Sequence, residues 1–196
     1  MSIAAPHQIA MLTGQSDRSR CALSPVQEEF LEAVALPESM RVASNFPYLH
    51  GSATYRPSPL ITASVNNTWL YFWSRTRTFR LAYADRVREL IERRQRTLFV
   101  AGSCGLELFN NLQLPEDLLR RVSIFAFGPV ARRRPRCAHV LVGSPRDSLS
   151  IRCFPSPDHL VDSGHMSYLT RPDVRTLCRE FLSRVVYPVA EPVRPA

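Results

Sequence analysis

Residues 98–109 change abruptly from the pattern of a buried strand to the pattern of a helix. Four consecutive apolar residues, 98–101, run into the short sequence GSCG at 102–105, and the apolar spacing of a helix follows from Leu106. A strand that passes into a helix through a few small residues is typical of a parallel sheet covered by helices. Polar side chains in such a turn lie at the carboxyl end of the strand, where α/β proteins carry their functional groups.

Short apolar segments alternate with helical patterns along the rest of the chain. Strand candidates lie at 9–12, 40–43, 97–101, 122–127 and 139–142. Helix candidates begin at Pro25 and near Pro172, and two others cover 81–95 and 106–112. This alternation predicts a three-layer α/β sandwich, a mostly parallel sheet of about six strands with helices on both faces. We expect one domain over residues 1–188 and a frayed, Pro-rich tail over 189–196.

The charge and the cysteines argue against several classes of protein. The net charge is +8, yet all 25 basic residues are arginines and most are scattered, so a nucleic-acid partner is not favoured over a solvated basic surface. Five cysteines with no C-x-x-C pair predict neither a disulfide framework nor a zinc site, and no cofactor is expected. No apolar stretch reaches membrane-spanning length and residues 1–12 lack a signal-peptide pattern, so we expect a cytoplasmic protein without a membrane span.

Two residues of the turn at 102–105 are candidates for an exposed nucleophile. Small residues must flank the exposed one, because strand and helix crowd each other at a tight turn. If Ser103 is exposed, the residues two places before and after it are Ala101 and Gly105, both small. If Cys104 is exposed, the second flanking residue is the bulky Leu106. The spacing therefore favours Ser103.

A base and an acid follow this serine in chain order. Asp147 comes just after the strand candidate at 139–142, and His165 lies in a later loop before the last helix. With this Ser–Asp–His order, the chain resembles a minimal, lidless member of the α/β-hydrolase superfamily, the group that includes small esterases, thioesterases and lipases. The resemblance implies Ser103 as nucleophile, His165 as general base and Asp147 as the carboxylate that orients the base. The residues alone leave open Asp158 or Asp162 as the acid and His159 as the base.

The resemblance also implies an oxyanion hole built from two backbone N–H groups. One belongs to Cys104, the residue after the nucleophile, and the other to the loop after the first strand, at Gln15 or at Ser16. That loop reads Thr13-Gly14, where the family commonly has His-Gly.

The secondary structure of residues 49–80 is the hardest to predict from the sequence. Prolines break the first portion, and a dense aromatic group follows at 69–79. Either this group packs in the core or it forms a wall of the substrate site. Candidate substrate-binding residues are Trp69, Phe72, Trp73 and Met166.

The resulting functional expectation is a serine hydrolase that cleaves a small-molecule ester or thioester through an acyl-enzyme. An acyl thioesterase or carboxylesterase in a biosynthetic pathway fits best, with no nucleic-acid partner. Alternatives are an acyltransferase on the same residues and a catalytically inactive binding protein of the same fold. The arginine cluster at 132–136 suggests a further hypothesis, in which it binds an anionic partner such as coenzyme A or an acyl carrier protein.

Overall fold

The computed structural model describes residues 6–35, 37–45, 47–48 and 54–186. Its strands are β1 (His7–Leu12), β2 (Arg96–Gly102), β3 (Val122–Phe127), β4 (Ala138–Gly143) and β5 (His159–Leu160). Its α-helices are α1 (Pro25–Val34), α2 (Leu60–Trp73), α3 (Arg77–Glu92), α4 (Gly105–Leu112), α5 (Glu116–Leu119), α6 (Ser148–Cys153) and α7 (Pro172–Val186). Two short 3₁₀ helices cover Glu38–Met40 and Tyr168–Thr170.

The five strands form one parallel sheet in the order β1-β2-β3-β4-β5. The α/β class and the parallel sheet are thus confirmed, but the expected number of about six strands is too high for the described residues. The strand candidate at 40–43 makes only a single bridge, between Ile9 and Arg41. The backbone bends at 43–45 instead of continuing as a strand. There the Asn45 backbone N–H donates to the carbonyl of Cys21, and the Asn45 side chain bonds the loop just after β1.

Helices cover both faces of the sheet, as the alternating sequence pattern predicts. On one face, Phe99 and Ile124 pack with residues of α3, α4 and α5. On the other, Leu98 and Phe125 pack with residues of α1 and α7. Burial on both faces explains why the central strands read as continuous apolar runs rather than as alternating patterns.

The start of α1 follows from its capping residues. The Ser24 hydroxyl accepts a hydrogen bond from the Gln27 backbone N–H, and the Gln27 side chain accepts one from the Ser24 backbone N–H. Pro25 occupies the first turn, where its missing N–H costs nothing. This reciprocal capping fixes where the chain leaves the loop after β1.

Three helices, α2, α5 and α6, fall in regions that the sequence left unassigned. α2 lies within the illegible stretch 49–80, and the helix predicted for 81–95 in fact spans Arg77–Glu92. α6 occupies a segment expected to be a loop. The predicted tail at 189–196 lies outside the described residues. Among the helices of the described ranges, none is both long and apolar enough to cross a bilayer.

Candidate active site

Ser103 occupies a sharp turn between β2 and α4. Its φ is +50°, in the left-handed region that residues other than glycine seldom adopt. Its backbone N–H donates to the carbonyl of Phe127 (3.3 Å), and its carbonyl accepts from the N–H of Val130 (2.9 Å), so the segment after β3 holds the turn. A Cβ on Gly105 would overlap the carbonyl oxygen of Leu12, which explains the small residue at this position.

The structure brings Ser103, His165 and Asp147 into one hydrogen-bonded chain. The Oγ of Ser103 lies 3.0 Å from Nε2 of His165, and Nδ1 of His165 lies 2.8 Å from Oδ2 of Asp147. Asp147 is buried, whereas His165 is partly exposed. These three side chains come from the ends of β2 and β4 and from the loop after β5, so the parallel sheet is what assembles them.

The carboxylate of Asp147 accepts four hydrogen bonds. Its Oδ1 accepts from the backbone N–H groups of Leu149 (3.2 Å) and Ser150 (3.1 Å), which makes Asp147 the N-cap of α6. Its Oδ2 accepts from His165 and also from the hydroxyl of Tyr168 (3.0 Å). The carboxylate is therefore fixed in orientation by groups on both sides of it.

Sequence reasoning missed Tyr168 as part of this site. The side chain is 1% exposed, and burial together with the charge of Asp147 raises the pKa of its hydroxyl well above the usual range. Gly128, with φ +51°, makes room for it, because a Cβ there would lie 2.7 Å from the Tyr168 ring and 3.1 Å from Oδ2 of Asp147. No spacing rule connects Gly128, Asp147 and Tyr168, so only the fold brings them together.

Ser144 links the loop that carries Asp147 to the loop that carries His165, the histidine loop. Its fully buried hydroxyl accepts from the backbone N–H of Arg146 and from that of Ser163, both at 3.1 Å. Within the histidine loop, the Ser167 backbone N–H donates to the carbonyl of Gly164 (3.0 Å). These bonds position the backbone on either side of His165.

The loop after β1, in which the second oxyanion donor is expected, lies against the turn at 102–105, here called the elbow. A Cβ on Gly14 would lie 2.9 Å from Sγ of Cys104. Asn45 fixes this loop, because its amide bonds the N–H of Thr13 and the carbonyl of Gly14, both at 3.0 Å.

The side chain of Gln15 is directed into its own loop, where Nε2 donates to the carbonyls of Arg18 and Arg20. Only its backbone N–H is thus available for the predicted role. Cys104, the other expected donor, is the N-cap residue of α4, and the first N–H groups of a helix lack carbonyl partners within it.

The thiol of Cys104 is in the wrong place for a nucleophile. It is 3% exposed and packs against Gly14, and burial raises its pKa to about 12. A neutral, buried thiol is a poor nucleophile, since the thiolate is the reactive form. The geometry therefore favours Ser103 over Cys104 at the corner.

The alternative acids and base lie elsewhere. Asp158 accepts hydrogen bonds from the Arg134 guanidinium and the Leu141 backbone N–H. Asp162 is exposed and pairs with Arg146. His159 belongs to the edge strand β5. None of them is hydrogen-bonded to Ser103 or His165.

Two of the four candidate substrate-binding residues line a cleft beside the loop after β1. Its volume is about 200 Å³, and its walls are formed by Gln15, Arg18, Asn66, Trp69, Leu70, Trp73 and Tyr83. The rings of Trp69 and Trp73 stack at 4.9 Å, and the Arg18 guanidinium lies 3.7 Å above the Trp69 ring. Phe72 is not part of this wall, and Met166 is exposed beside His165.

Buried Glu107, in the first turn of α4, neutralises part of the arginine cluster. Its carboxylate pairs with Arg132 (2.7 Å) and Arg75 (3.3 Å) and accepts from Asn111 (3.1 Å). Burial by itself would raise the pKa of Glu107. The hydrogen bonds from the Arg132 backbone, the Asn111 amide and the Arg132 guanidinium outweigh it and hold this pKa below its ordinary value.

The other arginines of the cluster also have internal partners. Arg133 bonds the carbonyl of Asn110, Arg134 pairs with Asp158, and Arg136 pairs with Glu116. The cluster is therefore largely engaged within the fold, which does not favour it as a docking site for an anionic partner. No group of three or more His, Cys, Asp or Glu side chains within the described residues is arranged to bind a metal ion.

Comparisons with known proteins give no functional assignment. No protein-family model matches this sequence, and no curated protein matches it. Among solved structures, the chain is similar to a protein from Bacillus cereus ATCC 10987 that is described as uncharacterized, with 10% sequence identity and a TM-score of 0.49. The match covers 94% of this chain and 61% of the other, so this chain spans less than two thirds of that protein's length.

Proposed function

We propose that the protein is a serine hydrolase of the α/β-hydrolase type, which cleaves an ester or thioester through an acyl-enzyme. The observation that carries the proposal is the hydrogen-bonded chain from Ser103 Oγ through His165 to Asp147. A hydroxyl next to an imidazole that a buried carboxylate orients is the arrangement that activates serine in acyl transfer. The strained φ of Ser103 supports the same reading, because it directs the hydroxyl out of the turn.

In the acylation step, Ser103 Oγ attacks the carbonyl carbon while Nε2 of His165 takes the hydroxyl proton. The imidazolium that forms is stabilised by Asp147. The tetrahedral oxyanion accepts hydrogen bonds from the backbone N–H of Cys104 and from that of Gln15 or Ser16. Each such donor contributes on the order of 3 kcal/mol to transition-state stabilisation. His165 then returns the proton to the departing alkoxide or thiolate.

In the deacylation step, a water molecule takes the place of the leaving group. His165 removes a proton from the water as its oxygen attacks the acyl carbon, and the oxyanion forms again at the same donors. Collapse breaks the bond between the acyl carbon and Ser103 Oγ, and His165 returns the proton to the serine. The products are a carboxylic acid and free enzyme.

The finer assignment is an acyl thioesterase or carboxylesterase of the cytoplasm that serves a biosynthetic pathway. The five cysteines all lie within the described residues and form no disulfide with one another there, which fits a reducing compartment. The aromatic cleft lined by Trp69 and Trp73 supplies an apolar surface beside the oxyanion loop for part of a small acyl substrate. The arginines at 132–136 carry no part of this assignment, since they have partners within the fold.

The proposal is tested by labelling with a fluorophosphonate probe, which reacts with activated serine. The proteins compared are wild type, Ser103→Ala and, as a matched control one residue away, Cys104→Ala. We expect labelling of wild type and of Cys104→Ala but not of Ser103→Ala. The same three proteins are then assayed on p-nitrophenyl acetate and on an acetyl thioester of N-acetylcysteamine.

Two other outcomes would contradict the proposal. Labelling lost only in Cys104→Ala would make the thiol the nucleophile. A folded wild type that neither reacts with the probe nor hydrolyses either substrate would favour a non-catalytic binding protein.

A further inference from the structure

The outward face of α2 carries a row of large apolar side chains among the exposed Thr62, Ser64 and Thr68, although helices at a protein surface ordinarily present mostly polar residues to water. The large side chains on it are exposed as follows: Leu60 68%, Ile61 80%, Val65 62%, Trp69 43% and Phe72 57%. No residue of α2 is charged. Contiguous apolar surface of this kind marks an interaction site more often than chance exposure.

The opposite face of α2 anchors the helix to the fold. Leu70 is buried, the Asn66 amide donates to the carbonyl of Ser16 (2.8 Å), and Trp73 packs edge-on against Phe79 (5.2 Å between ring centroids). The helix is therefore held in its orientation by its inner residues. Within the described ranges, the row formed by Ile61, Val65 and Phe72 remains open to solvent.

The charges around α2 indicate what kind of surface would cover it. Residues 39–84 contain no Asp or Glu, but they contain five arginines: Arg41, Arg56, Arg75, Arg77 and Arg80. Two of these are neutralised by acids from elsewhere in the fold, since Arg41 pairs with Glu32 and Arg75 with Glu107. Exposed Arg56 precedes α2 and exposed Arg77 follows its last turn. Arg18 adds a third exposed guanidinium, stacked on Trp69. An apolar row flanked by positive charge complements an anionic partner and would repel a second copy of itself.

We propose that α2 docks the protein on an anionic lipid bilayer, with the helix axis in the plane of the interface. Ile61, Val65 and Phe72 enter the boundary between headgroups and acyl chains, and Arg56 and Arg77 bind lipid phosphates. Aliphatic and aromatic residues on one face with arginines around them are the features of an interfacial helix. This docking does not depend on the hydrolase proposal, and either can fail without the other.

The two tryptophans of the chain, Trp69 and Trp73, both lie on α2, so intrinsic fluorescence reports on this helix alone. The test uses flotation and fluorescence with vesicles of phosphatidylcholine mixed with phosphatidylglycerol, and with vesicles of phosphatidylcholine alone. We expect binding to the anionic vesicles with a blue shift of the emission, and weaker binding as the salt concentration rises. Neutral vesicles should bind much less protein.

Matched double variants separate this face from general surface hydrophobicity. Ile61→Ser with Val65→Ser should weaken vesicle binding by on the order of tenfold or more, because two inserted side chains are lost. Leu149→Ser with Leu160→Ser removes two leucines of comparable exposure, 52% and 60%, near the opposite edge of the sheet, and should bind as wild type does. Arg56→Gln with Arg77→Gln should reduce the preference for anionic over neutral vesicles.

Several results would overturn the proposal. One is that wild type does not bind anionic vesicles. Another is that the Ile61/Val65 variant binds them as well as wild type does. A third is that the Leu149/Leu160 variant loses as much binding as the Ile61/Val65 variant. A wild-type dimer that the Ile61/Val65 variant dissociates would show that a second copy covers the face instead. Should the Ile61/Val65 variant fail to fold, quenching of wild-type tryptophan emission by brominated lipid decides the question, and its absence counts against the proposal.

Discussion

The hydroxyl of Tyr168 donates to the same carboxylate oxygen of Asp147 that accepts the hydrogen bond from His165. The Tyr168–Asp147 distance is 3.0 Å, and both side chains are almost completely buried. The tyrosine carries no charge and does not contact Ser103. It acts on the proposed chemistry through Asp147, by fixing the direction in which that carboxylate faces the imidazole.

Tyr168→Phe should therefore slow the reaction of Ser103 with a fluorophosphonate. We expect a loss of roughly tenfold, because a hydrogen bond to a charged group contributes about 1.5 kcal/mol and about 1.4 kcal/mol corresponds to a factor of ten in rate. The measurement is the second-order labelling rate at fixed pH.

A double-mutant cycle distinguishes this positioning role from a structural one. In the Asp147→Asn background, Tyr168→Phe should cause little further loss of rate, since the two residues act through one interaction. Additive losses in the double variant would show that Tyr168 merely supports the fold.

Asp147 itself should be far more sensitive than the other acids near the site. Asp147→Asn is expected to reduce the labelling rate by about 10⁴-fold, the loss typical when an amide replaces the acid of a Ser–His–Asp triad. The control is Asp162→Asn, because Asp162 is exposed and pairs with Arg146 rather than with His165, and its rate should match wild type. The reverse pattern would assign the acid to Asp162.

Most of the sheet could be predicted because each central strand is buried on both faces. The apolar run 122–127 is identical in extent to β3, and the run 139–142 lies within β4. The candidate at 40–43 has a similar pattern, yet it makes only one bridge, because the backbone bends at 43–45 and the Asn45 N–H donates to the carbonyl of Cys21 rather than to β1. A hydrogen bond of this kind to a distant loop leaves no signal in the apolar pattern.

α2 was not predicted because large apolar residues lie on both its inner and its outer side. A helix is recognised in a sequence by a polar face that alternates with an apolar one, and the row Ile61, Val65 and Phe72 removes that contrast. The exposed apolar row that prevented prediction of the helix is also the feature that indicates a docking surface.

The positions of Ser103, Asp147 and His165 could be predicted since each is marked by local chain features: a small-residue turn, a strand end and a Gly-His loop. Tyr168, Ser144 and Gly128 could not, because their contacts depend on how the loops fold over one another. A Tyr three residues after a His is not a spacing that indicates an active site. The residues that support a site are therefore harder to predict from the sequence than the residues proposed to carry its chemistry.

Glu107 should make stability depend on pH in the acid range. Its folded pKa lies below the ordinary value of 4.5, so the stabilisation is fully present above pH 4.5 and is lost as the pH falls through the folded pKa. Glu107→Gln should lower the free energy of unfolding by about 2 kcal/mol at neutral pH, because hydrogen bonds to a charged group are lost. Urea unfolding of both proteins between neutral pH and pH 3 should show this difference shrinking below pH 4.5.

The control for Glu107 is a carboxylate that pairs with arginine at the surface. Glu116 and Arg136 form an ion pair with both side chains largely exposed. Glu116→Gln should change the free energy of unfolding by less than about 0.5 kcal/mol, since water screens such pairs. An equal effect of the two substitutions would contradict the role assigned to the buried Glu107 network.

Gly105→Ala should be among the most destabilising single-methyl changes in the protein. The added Cβ would overlap the Leu12 carbonyl oxygen and lie 2.8 Å from its carbon, so α4 must move away from β1. We expect a loss of about 3 kcal/mol in the free energy of unfolding, the upper end for overpacked sites. Gly164→Ala is the matched control in the histidine loop, where the nearest atom to a new Cβ is the Ser167 hydroxyl at 4.0 Å, and it should be nearly neutral. If Gly105→Ala were tolerated as well as Gly164→Ala, β1 would not approach the elbow as closely as described. The placement of the Gly14–Gln15 loop beside Cys104 would then be wrong too.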